Sequence, residues 1–196
     1  MQRYIMATWF TSDTHFGSER TLTLSKRPFD NVAQMDQEMI HRWNAKVKPD
    51  DEVFHLGDFG NFDVLERLNG NITLIEGNYE RDIEYDKSPF KTVYNRFVRY
   101  CFVHPDAESL IATSDGEANM KAVFDDFMLV HEPSISDFEM FTLFGHVHGQ
   151  KFKRNGLNVG VDCHHFYPVS LDDVFFFRDA IQKHYDEEVF CIGKIL

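Results

Sequence analysis

The chain alternates short apolar runs with polar, turn-prone segments. Runs at 7–11, 52–56, 72–75, 127–130, 141–144 and 157–161 are four or five residues long and rich in Val, Ile and Phe. That length and composition predict buried strands. A different spacing fills the gap between the first two runs. There Val32, Met35, Met39, Ile40, Trp43 and Val47 recur with a helical period. Asp30 or Asn31 is placed to cap that helix, and Lys48-Pro49 to end it. Shorter helices are predicted over 63–68 and 171–182, and the stretch 90–103 as a longer strand or a hairpin arm. Segment 105–120 is polar and turn-rich, which predicts a surface excursion. Strand and helix alternate early while strands dominate the middle and end, so the fold class is α/β with a mixed rather than purely parallel sheet. No internal repeat, low-complexity tract or linker divides the chain. Residues 1–196 are therefore read as a single domain, with room for a substantial core.

Composition adds three constraints. Hydrophobic content of 43% and charged content of 27% fit a soluble globular protein, and the 20 Phe predict a core built on aromatic packing. The 20 basic and 32 acidic residues leave a net charge of −12, a field that repels long polyanions. Long nucleic acid is thus disfavoured as a partner. A cation-loaded pocket would reverse the sign locally and leaves small anionic substrates open. The three cysteines, Cys101, Cys163 and Cys191, are far apart and form no C-x-x-C, which supports neither a disulfide framework nor a thiolate zinc site. A reducing cytoplasm is the expected location. The first residues carry too short an apolar run for a signal peptide, and no run approaches the roughly 18 apolar residues of a membrane span. No membrane partner is expected, and the oligomeric state is left open.

The chemistry-bearing residues follow the apolar runs. The first run leads to Asp13 and His15, the second to Asp58, and the third, ITLIEG, to Asn78. The run at 127–130 leads to His131, and that at 141–144 to His146 and His148. Alone, Gly77-Asn78 reads as a turn and an isolated His as packing; His55, His41, His104 and His184 keep that reading. Together the strand ends deliver two Asp, one Asn and four His to one crevice. In an extended chain, residues two apart point the same way, so Asp13 would join His15 and His146 would join His148. Seven N/O donors exceed a single zinc site and suit two adjacent divalent cations with Asp58 as the bridge. The absence of Cys favours harder, catalytic metals. Manganese is the first expectation, and the same donors admit iron, zinc, nickel or cobalt.

These residues resemble the calcineurin-like metallophosphoesterase superfamily, whose pattern is D-x-H, G-D, G-N-H-[DE], a single His, and G-H-x-H. Here the pattern stands as Asp13-Thr14-His15, Gly57-Asp58, Gly77-Asn78-Tyr79-Glu80, His131 and Gly145-His146-Val147-His148. The resemblance runs from about residue 9 to 173, and two longer stretches are similar to a compact bacterial and phage-type branch. It implies two facing mixed β-sheets flanked by helices in a four-layer arrangement, with the site at one end of the sandwich. It also implies that Asp13, His15, Asp58 and His148 hold one metal while Asp58, Asn78, His131 and His146 hold the other. The reaction implied is phosphoester hydrolysis, on phosphodiesters or small nucleotide-like phosphates, by in-line attack of a hydroxide bridging two ions about 3.5–4 Å apart. A nuclease, or a non-catalytic scaffold of the same fold, is the alternative.

One position departs from the pattern. Tyr79 stands where the superfamily has an imidazole beside the phosphate. A phenol, with an ordinary pKa of about 10, donates a hydrogen bond but is a poor acid near neutrality. Asp58, Asn78, Tyr79 and His146 are the expected catalytic residues, and the alternative for Tyr79 is simple packing over the site. On the substrate side the candidates are Arg20, Arg27, Arg81 and His164, with Lys26 and His165 beside them. For each of these, solvated surface charge or an ordinary loop role is the competing reading.

Overall fold

The computed structural model describes residues 6–103, 124–135 and 139–183. Among the described residues, ten strands form two five-stranded sheets. The first sheet runs in the order β10-β1-β2-β3-β4, from Val169–Ser170, Thr8–Thr11, Glu52–His55, Asn71–Ile75 and Thr92–Tyr94. Strands β1 to β4 are parallel, and β10 is antiparallel to β1. The second sheet runs β5-β6-β7-β9-β8, from Phe97–Val103, Phe124–Val130, Phe141–Phe144, Gly156–Asn158 and Phe152–Lys153. Its central pairs β6-β7 and β7-β9 are parallel and both edges antiparallel, so each sheet is mixed.

Alternation along the strands decides what each face buries. Phe54 and Leu56 face the second sheet, while Val53 faces outward toward helix α2, Val32–Lys46. Between the sheets, Phe10, Phe54, Phe102, Phe127 and Phe141 touch ring to ring, with centroids 5.3–5.8 Å apart, mostly edge-on. The Phe-rich composition is used there, where edge-to-face rings add to the burial of their area. Helix α2 buries Trp43 with Val53, Ile72 and Leu74 of the first sheet, and Met35, Met39 and Ile40 among Phe16, Phe59, Val161 and Phe166 of the loops beyond the strands. Asn31 is its cap: the side-chain oxygen accepts from the Gln34 amide at 2.9 Å. Preceding it, α1 (Glu19–Leu24) is a short helix beyond β1. Between β3 and β4 lies the single turn α3, Asn78–Arg81. Helix α4, Leu171–Lys183, packs against β1, β9 and β10, and Phe175 meets Phe127 edge-on at 5.4 Å.

Two expectations need correction. The stretch 90–103 is not one strand or a hairpin arm: β4 pairs with β3 in the first sheet and β5 with β6 in the second. The chain changes sheets at Arg96, whose φ of 68° makes the sharp turn. The helix expected over 63–68 is a 3-10 turn, Phe62–Arg67. Segment 105–120, His104, His184 and Cys191 lie outside the described residues. Among the described residues, no helix is long and apolar enough to cross a membrane.

Candidate metal centre

The carboxyl ends of β1, β2 and β3 in one sheet, and of β6 and β7 in the other, open at the same end of the sandwich. Their loops are knitted by backbone bonds. The Asp13 amide donates to Gly57 O and the His15 amide to Asp58 O, both at 3.0 Å, and the Gly145 amide donates to His131 O at 3.0 Å. The His146 amide crosses between the sheets to the Asp13 carboxylate, at 3.0 and 2.9 Å. Gly145 has to be glycine, because a Cβ there would overlap Ser12 Oγ and Asp13 Oδ2. Asp13, His15, Asp58 and His146 all sit at positive φ, 56°, 48°, 56° and 68°. Left-handed backbone at a non-glycine residue costs about 1–2 kcal/mol. Four such residues within one centre mark a place where packing holds strain in return for geometry. This corrects the extended-chain argument: tight left-handed turns, not strand alternation, aim Asp13 and His15.

Six of the side chains gather into two groups, Asp13 with His15 and His148, and Asp58 with His131 and His146; within each, the donor atoms lie within 4.8 Å of one another. Asp58 lies between them. Its Oδ2 is 3.5 Å from His15 Nε2 and its Oδ1 3.4 Å from His131 Nε2, so one oxygen faces each group. Asn78 Oδ1 joins the second group, 3.0 Å from His131 Nε2 and 3.2 Å from His146 Nδ1. His146 and His148 thus diverge into different groups instead of pointing together.

The donor chemistry suits divalent cations. His131 donates from Nδ1 to Leu56 O at 2.7 Å, and His148 bonds Asp162 Oδ2 through Nδ1 at 2.6 Å. Each imidazole therefore turns Nε2 toward its group, the orientation that metal-binding histidines need. Burial lowers His15 to about 4, outweighing Asp58, so it is neutral, and its buried Nδ1 has no hydrogen-bond partner. Burial pulls His131 down, but Asp58 and Asp13 outweigh it and lift the ring to about 9. Burial raises the Asp13 carboxyl against the pull of His131 and His148. A buried cluster whose carboxylates hold protons on a neighbouring imidazole lacks balancing positive charge, which divalent cations supply.

Outside the ligands, a cleft of about 730 Å³ is lined by His15, Asp58, Asn78, Tyr79, His146 and His148, together with Arg20, Ser25 and Lys26 of the α1 region.

No family model matches the chain. An uncharacterized protein of Methanocaldococcus jannaschii, MJ1445, is 29% identical over 184 residues, covering 84% of this chain and 86% of that protein. The Gene 66 protein of Mycobacterium phage L5 is 23% identical over 209 residues, covering 92% and 97%. The solved structure of AQ665 from Aquifex aeolicus, a protein of unknown function, superimposes with a TM-score of 0.63 at 19% identity, over 88% of this chain and all of that one. Looser likenesses are to a Pseudomonas putida nuclease MPE, TM-score 0.42, 18% identity, 72% and 60% covered, and to a predicted phosphoesterase of Streptococcus pneumoniae, 0.34, 17%, 79% and 71%. Two facing mixed sheets with the five motifs gathered at one end are what the sequence resemblance implies. The fold is one this chain shares with AQ665.

Around the two donor groups, the substrate-side candidates separate. Arg20 lines the cleft and donates from a terminal nitrogen to the Tyr79 hydroxyl at 3.0 Å. Lys26 also lines the cleft. Arg27 borders the cleft, but its donors are committed within the protein. Its side chain is fully buried, bidentate to Asp162 at 2.9 and 2.9 Å, and it donates to Thr14 O and Asp13 O at 2.8 and 2.6 Å. Arg81 is committed to an ion pair with Glu132. His164 lines a different cavity with Trp9, Lys46 and Tyr167, as does His165, and its Nε2 lies 2.7 Å from Asn158 O. His41 is exposed, and His55 is buried against Trp43 with Nε2 on the Thr14 hydroxyl at 3.0 Å, a packing role as expected.

Two functional residues escaped the sequence reading. Asp162 orients His148 and is itself held by Arg27, and the signal was present: an Asp just after the apolar run 157–161, like the ligands at other strand ends. Glu80 accepts from the amides of Asp58, Phe59 and Gly77 at 2.9, 2.7 and 2.9 Å, clamping two ligand loops together. Its place in the Gly-Asn-Tyr-Glu motif was visible, its task was not.

Proposed function

We propose that the protein is a dimetal-dependent phosphoester hydrolase acting on phosphodiesters or small nucleotide-like phosphates. The observation that carries this reading is Asp58, with one carboxylate oxygen toward His15 and the other toward His131, between two groups of convergent donors. Asp13, His15, Asp58 and His148 would hold one ion, and Asp58, Asn78, His131 and His146 the other. Bound there, two cations supply an acidified water and neutralise phosphoryl charge. The chain's own contribution is placement. Glu80 and Arg27 hold the ligand loops, and Asp162 and Leu56 O set the imidazole orientations. Tyr79 brackets the cleft: its amide donates to Asp58 Oδ1 at 3.1 Å, and its ring stands edge-on to His15 at 4.9 Å. With a phenol in place of an imidazole, no strong acid stands ready for the leaving group, so esters with good leaving groups are the expected substrates.

The test is hydrolysis of bis-p-nitrophenyl phosphate with Mn²⁺, after chelation, and by Asp58→Ala. Metal-dependent turnover that is abolished by chelation and by the substitution is expected. No metal-dependent turnover, with Asp58→Ala equal to wild type, would favour a non-catalytic scaffold. For the leaving-group assignment, Tyr79→His should raise rates on alkyl esters more than on aryl esters, and an equal effect on both would overturn it.

A further inference from the structure

The wall of the cleft facing the ligands carries cations without counter-charges. Arg20 and Lys26 both line it, and neither has a carboxylate partner among the described residues. In a chain of net charge −12 an unpaired, positioned guanidinium is conspicuous. Arg20 is positioned from the metal side. The amide end of Tyr79 is bonded to Asp58, its ring leans on His15, and the far end, the hydroxyl, receives Arg20. The guanidinium is therefore tied to the ligand shell but held away from Asp58 by a tyrosine's length. From there it addresses a group beside the reacting phosphoryl. Because one terminal nitrogen is spent on the hydroxyl, the remaining N–H donors keep the fork that suits a phosphate or carboxylate. On the same helix Leu24 is 67% exposed and also lines the cleft, as do Pro28 and Phe166. Apolar residues and a fixed cation in one cleft fit a substrate with an apolar body and a second anionic group.

We infer that Arg20, steadied by Tyr79, is a specificity-determining residue for a second phosphoryl group on the substrate, next to the ester that reacts. This rests on the reading of the cleft as a phosphoester site. Substrates with two phosphates separated by a sugar, such as nucleoside 3′,5′-bisphosphate esters, have the required chemistry. Lys26, on the rim, adds charge to the same subsite.

The matched pair that tests this is thymidine 5′-(p-nitrophenyl phosphate) and its 3′-phosphorylated analogue, which share leaving group and reacting ester. A charged hydrogen-bonded contact predicts a preference for the 3′-phosphorylated ester of about tenfold to a hundredfold in kcat/KM, carried by KM. Arg20→Gln should bring the ratio of the two substrates to near one. Tyr79→Phe, which keeps the ring and removes the hydroxyl, should give an intermediate ratio. Calorimetric binding of thymidine 3′,5′-bisphosphate against thymidine 5′-monophosphate to the Mn²⁺-loaded protein reads the same preference without turnover. Equal treatment of both esters and both nucleotides by wild type, or a preference that survives Arg20→Gln, would overturn the inference. Loss of the calorimetric preference in Arg20→Gln in a protein that turns over neither ester would sustain the subsite while sinking the hydrolase.

Discussion

Two arginine–carboxylate pairs flank the candidate metal centre, and they differ in kind. Arg27–Asp162 lies behind the group of Asp13, His15 and His148; its guanidinium is fully buried and Asp162 passes the contact on to His148. Arg81–Glu132 lies beside the group of Asp58, His131 and His146, with 22% and 28% of the two side chains exposed. The first pair is enclosed and bonded to two ligand-loop carbonyls, while the second is wet and ends in solvent. A buried pair cannot exchange its partner for water, so it positions its neighbours; an exposed one can, so it contributes little. The difference makes Asp13, His15 and His148 the more firmly held donor group, and leaves the second, with His146 exposed and Asn78 half-buried, the more open one.

The contrast predicts a graded series. The largest effect belongs to Arg27→Ala, which leaves Asp162 without its cation and should cost about 3–5 kcal/mol in chemical denaturation; a loss under about 1 kcal/mol would put Arg27 on a par with the rim pair. Removing metal comes next. An ion held at a hundred times its Kd contributes about 2.7 kcal/mol, so chelation should lower Tm by about 5–11 °C for each ion removed, at roughly 2–4 °C per kcal/mol. An unchanged melting curve would speak against occupied sites. Asp162→Asn should then weaken one metal by about 10–100-fold through the loss of His148 orientation, with the other step of a calorimetric titration unmoved. If both steps move together, the two groups are not independent. Smallest of all, Arg81→Gln should change stability by less than about 1 kcal/mol, measured by urea denaturation.

Much of this was legible from local pattern. The strand β7 spans the run read from the sequence, 141–144, and Asn31 caps α2 as its residue type demands. Each candidate donor, too, was marked by its place just past an apolar run. The stretch 90–103 was misread because an apolar run carries no label for its pairing partner, and the turn at Arg96 sends its halves to different sheets. The role of Arg27 was ambiguous for a related reason. An arginine after a ligand loop looks like an anion anchor, and only its full burial against Asp162 and two carbonyls makes it a clamp.

What the sequence determined by itself was the set of donors and their order along strands, because ligand chemistry is a property of residue type and strand ends are set by short-range hydrophobic pattern. Tertiary structure alone decided how those donors divide. Left-handed turns at Asp13, His15, Asp58 and His146, and contacts between loops separated by up to 133 residues, send His146 and His148 to different groups and set one oxygen of Asp58 toward each. Such turns are intrinsically unfavourable for non-glycine residues, so no local propensity announces them; they exist because the packed loops around them leave no alternative.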